Sequence, residues 1–270
     1  MSLGASELNA ILAAAEAVIR PVGHYLLAQR VQHADVETKS LNSLVSHVDK
    51  HAEAQLVQGL KNVFPEAGFL AEEGTEGAQD DARFRWVVDP LDGTTNLIHG
   101  LPVYCVSVAL VDGDDPIVAV VFDPNRDECF TATKGGGAAL NGRAMRCSDC
   151  SQLKDALIAT GFPHWDFTRM PDYLEALTSF AKGTRGLRRM GSAAIDLAYV
   201  ACGRFDAFFE YSLQPWDIAA GLLLVTEAGG DTSDFKGGSD PGALLSGTET
   251  FASAPGIAHE GLSVIRSAFG

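Results

Sequence analysis

The chain has 270 residues, 46% of them apolar and 20% charged, with a formal net charge of −15. Such a length can bury a substantial core, as one large domain or two closely joined ones. The charge argues against nonspecific binding to nucleic acid or to an anionic membrane surface, since both would repel it.

In chain order, the opening stretch MSLGASELNAILAAAEAVI is Ala-rich, carries Glu7 and Glu16 and lacks a basic leader. It predicts an amphipathic helix from Ser6 to Arg30 with Ser6 as N-cap, and no membrane-spanning run of about 20 apolar residues is expected. A second helix is predicted from Ser46 to Val63, ended by Pro65. Phe69–Ala71 and Phe84–Val88 read as strands that lead into acidic residues. Val103–Val111 and Ile117–Phe122 read as antiparallel neighbours across a DGDDP turn, followed by a strand over Glu128–Thr133 and a turn at Lys134–Gly137.

From Asp155 the pattern alternates: strand ALIATGF, helix 171–182, a strand, helix 192–203, strand Phe205–Glu210 and helix 217–228. A sheet-rich first part and an alternating second part predict a mixed α+β / α/β fold. The change of regime at 145–155 sets two tightly packed subdomains, 1–148 and 149–270. Five cysteines (Cys105, Cys129, Cys147, Cys150, Cys202) are an odd number, which fits reduced thiols in the cytoplasm better than a disulfide framework. Cys147 and Cys150 form a C-x-x-C without a second pair or a nearby His, and read as incidental thiols.

The stretch DPLDGTTNLIHGLP, Asp89–Pro102, is the strongest chemical signal. A strand ending in Asp89 and turning through Asp92-Gly93 delivers carboxylates to a sheet edge, where ligands commonly bind. Gly93 lets backbone N–H groups approach an anion. Acidic oxygens beside such donors suit a divalent cation and a phosphate together. Alone, the same residues also make an ordinary Asx turn. Glu72 and Glu73 follow another strand and would read as a surface loop by themselves. Asp217 would read as an N-cap and Asp49 as a first-turn helix acid.

Taken together, these segments resemble the inositol monophosphatase family of lithium-sensitive, metal-dependent sugar phosphatases. Asp89–Pro102 matches its first motif without a gap. WDIAAGLLLVTEAGG, Trp216–Gly230, matches its second, and the likeness spans nearly the whole chain. The resemblance implies a layered α-β-α-β-α sandwich of the inositol monophosphatase/fructose-1,6-bisphosphatase type. It implies Mg²⁺, two or three ions per site, on Glu72, Asp89, Asp92, Asp217 and the carbonyl of Leu91. Thr94 and Asp49 would orient and polarise the attacking water, with Glu72 and Asp92 in the catalytic set. Gly93 and Thr94 would meet the substrate phosphate, and Glu210, Asp217 and the loop Gly191, Ser192, Ala193 the ring. Inhibition by Li⁺ and a homodimer are implied as well. Three positions depart from the pattern: Ala71 stands where a glycine is usual, and in SLVSHVD Ser43 replaces an acid and Ser46 a threonine.

The implied activity is hydrolysis of a phosphate monoester, inositol 1-phosphate foremost, by direct in-line attack of water without a phosphoenzyme. The adenosine 3′,5′-bisphosphate, fructose 1,6-bisphosphate and histidinol phosphate branches stay open. So does a different class, a protein-binding factor for transcription or ribosomal RNA maturation. Glu210 suits a neutral polyol better than a second anionic phosphate, which it would repel. Arg185, Arg188 and Arg189 read either as a solvated or dimer-facing patch or as a phosphate-attracting one. His99 and His164 are assigned no catalytic role.

Overall fold

In the computed structural model, residues 3–29, 47–74, 82–163, 166–245 and 248–270 are described in full, and 36–40 and 43–46 by their backbone. The first helix, α1, spans Ala5–Ala28, and its N-cap is Gly4 rather than the expected Ser6. The Glu7 carboxylate reaches back to accept the Gly4 N–H at 2.7 Å, which moves the cap from Ser6 back to Gly4. This helix is long and apolar enough to span a membrane by length and composition, contrary to expectation. Its apolar stripe, Leu8, Ile11, Ala15, Ile19, Val22 and Leu26, is buried in the protein core.

A short hairpin follows, β1 (Val36–Ser40) antiparallel to β2 (Ser43–Ser46). The departure at Ser43 falls here, where side chains lie outside the described residues. Helix α2, His47–Val63, then begins and ends within one residue of the expected bounds.

A seven-stranded sheet is built next, in chain order: β3 (Gly68–Ala71), β4 (Phe84–Asp92), β5 (Cys105–Asp112), β6 (Asp115–Asp123), β7 (Glu128–Thr133), β8 (Gly137–Leu140) and β9 (Arg143–Met145). Only β3 and β4 are parallel; the other pairs are antiparallel. Between β4 and β5 sits the one-turn helix α3, Thr94–Ile98. The alternation of apolar residues divides cleanly between two cores, as a period of two demands. Trp86, Val88, Val106, Val108, Val118 and Val120 pack with α1 and α2. Val87, Cys105, Ala109, Val111, Ala119 and Val121 pack on the opposite face with the second part of the chain.

That second part carries β10 (Leu157–Thr160), α4 (Met170–Gly183), β11 (Gly186–Arg188), α5 (Ala193–Ala201), β12 (Ala207–Tyr211), α6 (Pro215–Glu227), β13 (Asp231–Ser233), α7 (Pro241–Leu245), β14 (Glu249–Ser253) and α8 (Ala258–Phe269). Its five strands run in the order β11-β10-β12-β14-β13. Helices α5 and α6 lie between the two sheets, and α4 and α8 pack together on the outer face of the smaller one. The layers are therefore α-β-α-β-α. Helix α6 is buried from Ile218 to Val225, as expected of a helix that is apolar all round. The five cysteines are free thiols. Burial pushes the Cys147 thiol up to about 12, which makes it a poor nucleophile or ligand.

Candidate active site

The two motif aspartates are set by a bulge. Asp89 lies opposite Ser107 and Asp92 opposite Cys105, so three steps along β4 match two along β5. Without that extra residue Asp89 and Asp92 would point to opposite faces of the sheet. With it, both share the face of Cys105 and Ser107, toward α5 and α6. Leu91 drops into the opposite core, 1% exposed. The aspartates thus belong to a bulged strand end, not to the turn expected after a shorter strand.

Each aspartate gives one oxygen to a protein donor. Asp89 Oδ1 accepts the Leu91 N–H at 2.9 Å. Asp92 Oδ2 accepts both the Ser192 hydroxyl and the Ala194 N–H at 2.7 Å. Asp217 sits in the first turn of α6, whose N-cap is Gln214, and its Oδ2 accepts the Gln214 N–H at 2.7 Å. The second oxygen of each has no hydrogen-bond partner among the described residues. Glu72 continues the β3–β4 ladder, its N–H donating to Val88 O at 3.2 Å, which sets it beside Asp89 on the neighbouring strand.

Mutual repulsion follows from this convergence. Burial, then the charges of Glu72, Asp92 and Asp217, hold Asp89 well above the usual carboxylate range. Burial and Asp92 do the same to Asp217. Asp92 itself is pushed up to about 6 by burial, offset by its bonds to Ser192 and Ala194 and by the charge of Arg189.

Thr94 opens α3 after Gly93, whose φ of 104° and close approach to Val103 O require a glycine. The Thr94 hydroxyl donates to Asp49 Oδ1 at 2.9 Å and lies 3.1 Å from Leu91 O. Asp49 and Glu53 are both buried, 1% and 0% exposed, one turn apart on the same face of α2. Glu53 Oε2 accepts the Glu73 N–H at 2.7 Å, tying α2 to the acidic loop after β3. Sequence reasoning passed over Glu53; an acid on the apolar stripe of a helix is the signal that could have found it.

The other wall comes from the second part of the chain. Glu210 is the penultimate residue of β12, 6% exposed. Burial and the charge of Asp217 hold it well above its ordinary value, against the pull of Arg189. Gly161 leaves room for it: a Cβ there would sit 2.1 Å from both Glu210 oxygens. Ser192, expected at the substrate ring, caps α5 by accepting the Ile195 N–H at 3.3 Å and also holds Asp92. Ala193 begins that helix, 8% exposed. Asn96 was unassigned, yet its amide donates to Val103 O at 2.7 Å and Met190 O at 3.0 Å. It thereby locks the first motif to the loop containing Gly191.

The three arginines separate. Arg185 faces Asp155 at 3.3 Å, Arg188 donates to Leu187 O, and Arg189 lies over the Phe162 ring at 5.6 Å. Of the three, Arg189 is the one whose charge reaches Asp92 and Glu210. His99 is exposed at the end of α3, and His164 lies outside the described residues.

No group of three or more His, Cys, Asp or Glu side chains among the described residues forms a ready-made cation cage. The donor set nonetheless fits a hard cation. Buried and half-buried carboxylates that repel one another, with one oxygen each of Asp89, Asp92 and Asp217 lacking a hydrogen-bond partner among the described residues, are what Mg²⁺ or a similar ion would neutralise. Glu72, Asp89, Asp92, Asp217 and the Leu91 carbonyl are all oxygen donors. Cys105, the nearest thiol, is buried with its pKa raised well above its ordinary value, so a thiolate site for Zn²⁺ is disfavoured.

The chain is similar to known proteins over nearly its whole length. The model of the inositol monophosphatase family matches residues 7–268. An inositol-1-monophosphatase of Rhizobium meliloti is 44% identical over 250 residues, 92% of each chain. The Nus factor SuhB of Xylella fastidiosa is 46% identical over 224 residues, 82% of this chain and 81% of its own. The crystal structure of the extragenic suppressor protein suhB from Bartonella henselae superposes with a TM-score of 0.87 at 37% identity, covering 95% of this chain and 98% of that one. The chain belongs to the inositol monophosphatase family.

Proposed function

We propose that the protein is a Mg²⁺-dependent phosphatase that releases phosphate from an inositol monophosphate. The observation that carries this reading is the convergence of Glu72, Asp89, Asp92 and Asp217 beside the Thr94–Asp49 pair, with the buried Glu210 across from them. Glu72, Asp89, Asp92, Asp217 and Leu91 O would hold the cations. When bound, they would supply Lewis-acid stabilisation of the phosphoryl group and lower the pKa of water.

The chain's own groups do the rest. Gly93 and Thr94 present the N–H groups that open α3, which the helix itself leaves unpaired, to the substrate phosphate. Thr94 donates its proton in a hydrogen bond to Asp49, so its lone pairs are free to accept a hydrogen bond from the incoming water and aim that water at phosphorus. Asp49, buried behind it, strengthens that acceptor. Glu210 accepts from a hydroxyl of the alcohol, and its negative charge disfavours a second phosphate at that end. In-line attack without a phosphoenzyme inverts phosphorus. Stereochemical analysis with isotopically chiral phosphate in labelled water should therefore give inversion, and retention would overturn this reading.

Li⁺ should inhibit by occupying a Mg²⁺ position. A homodimer and a cytoplasmic location fit the same reading, and sedimentation analysis tests the first. The adenosine bisphosphate, fructose bisphosphate and histidinol phosphate activities are the alternatives within the superfamily.

A second reading, in which the chain contacts the transcription machinery, is favoured by relatives that carry the name Nus factor SuhB. The net charge of −15 suits a protein contact better than RNA. An Asp92→Asn protein that lacks phosphatase activity but supports the cellular role would favour it.

A further inference from the structure

Helix α2 packs on β4, and one of its faces reaches both sides of the acidic cluster. Val48, Ala52 and Leu56 share a core with Leu91, whose carbonyl is among the oxygen donors of the site. The same buried face carries two carboxyl groups, Asp49 and Glu53, one helical turn apart. Asp49 accepts from the Thr94 hydroxyl at 2.9 Å, a contact that the proposed hydrolysis uses. It gives Glu53 no part. Yet Glu53 is 0% exposed, and burying a carboxyl group costs free energy that its hydrogen bonds must offset. One of those bonds crosses to the acidic loop, where Glu53 Oε2 accepts the Glu73 N–H at 2.7 Å. The preceding N–H, that of Glu72, donates to Val88 O of β4 at 3.2 Å. Both peptide groups that flank the Glu72 Cα are therefore tied, one to β4 and one to α2. With only two soft dihedrals per residue, that fixes where the Glu72 side chain starts and which way it leaves the chain.

We infer that Glu53 is a positioning residue for Glu72: by holding the Glu73 N–H it fixes the peptide after Glu72, so that the Glu72 carboxylate is presented to a cation shared with Asp89. Glu53 acts through the backbone and touches neither the substrate nor the cation. The inference rests on the Mg²⁺-phosphatase reading. Asp49 and Glu53 then form one device, because a single turn of a packed helix holds Thr94 on one side and the Glu72–Glu73 peptide on the other. The group that aims the water and the loop that offers a metal ligand thereby keep a constant spacing. Groups that hold metal ligands in place are worth about 10–100-fold in metal affinity or activity when removed.

The test measures Mg²⁺ binding to the metal-free protein by isothermal titration calorimetry, without substrate, and checks the fold of each variant by circular dichroism. Glu53→Leu fills the buried space but offers no acceptor, so it should raise the Kd for Mg²⁺ by about tenfold or more. Glu53→Gln keeps an acceptor oxygen for the Glu73 N–H while removing the charge. Its Kd should stay close to wild type, even if the leucine variant folds poorly. Phosphate release from inositol 1-phosphate should follow the binding: in Glu53→Leu its Mg²⁺ dependence moves to higher concentration, and the lost activity returns as Mg²⁺ is raised. A folded Glu53→Leu protein with wild-type Mg²⁺ affinity would overturn the role and leave Glu53 merely structural. A loss in Glu53→Gln of tenfold or more would overturn it too, because charge and not the held peptide would then set the affinity. A wild-type protein that binds no Mg²⁺ would instead overturn the functional reading itself.

Discussion

Replacing Gly161 with alanine gives a quantitative test of where Glu210 acts. The backbone at Gly161 is not in the left-handed region, so alanine adds no conformational strain and acts only through its methyl group. That methyl would lie 2.1 Å from both Glu210 oxygens, whereas ordinary contact begins at 3.4 Å. The carboxylate must retreat by more than about 1 Å, and a misplacement of that size can cost about 10²-fold in rate. Gly161→Ala should therefore lower kcat/KM for inositol 1-phosphate by about 10²-fold. Hydrolysis of p-nitrophenyl phosphate should change little, because that substrate has no hydroxyl for Glu210. Steady-state phosphate release on both substrates, with circular dichroism to verify the fold, makes the measurement. Unchanged inositol 1-phosphate kinetics in a folded variant would refute the placement of Glu210 at the alcohol. Equal loss on both substrates would refute it too.

Three further outcomes are expected. Thr94→Val and Asp49→Asn should each reduce kcat by about 10²–10⁴-fold while Mg²⁺ binding, followed by calorimetry, persists. Asp217→Asn removes a half-buried carboxylate repelled by Asp92. The metal-free variant should then melt at a higher temperature than the wild type, and its gain on adding Mg²⁺ should shrink, both visible by thermal shift. Burial pushes Asp92 up to about 6 from an ordinary 3.8, so the metal-free fold holds this proton more tightly than the unfolded chain. The contribution is most favourable below the unfolded pKa and is lost as pH rises through about 6. Stabilisation by Mg²⁺ should accordingly be larger at pH 8 than at pH 5, since the cation replaces that proton.

Much of this arrangement was legible in the residues, and the rest depended on contacts far apart in the chain. The continuous apolar, β-branched runs FRWVV, VSVALV and IVAVV marked buried strands; which residues face which core came only with the packed structure. The acids of Asp89–Asp92, Glu72 and Asp217 stood out because they interrupt or adjoin buried apolar runs. The bulge at Pro90-Leu91 did not stand out: it is a register shift against β5, visible only once Asp92 is seen opposite Cys105. The Ser192 hydroxyl also holds Asp92 across 100 positions of sequence, a tie no local pattern announces. Asn96 lies inside the first motif, but its tie to Met190 O needs the packed second half. The start of α1 differed for a local reason, the backward reach of Glu7 to Gly4.

The central claim is that the acidic cluster on the β4 bulge, with Glu210 opposite, makes a Mg²⁺-dependent polyol monophosphatase. Phosphate release from inositol 1-phosphate, adenosine 3′,5′-bisphosphate and fructose 1,6-bisphosphate, measured side by side with and without Mg²⁺, tests it most directly. The account predicts Mg²⁺-dependent turnover with the highest kcat/KM on inositol 1-phosphate. A preference for either bisphosphate, or turnover that is indifferent to Mg²⁺, would contradict it.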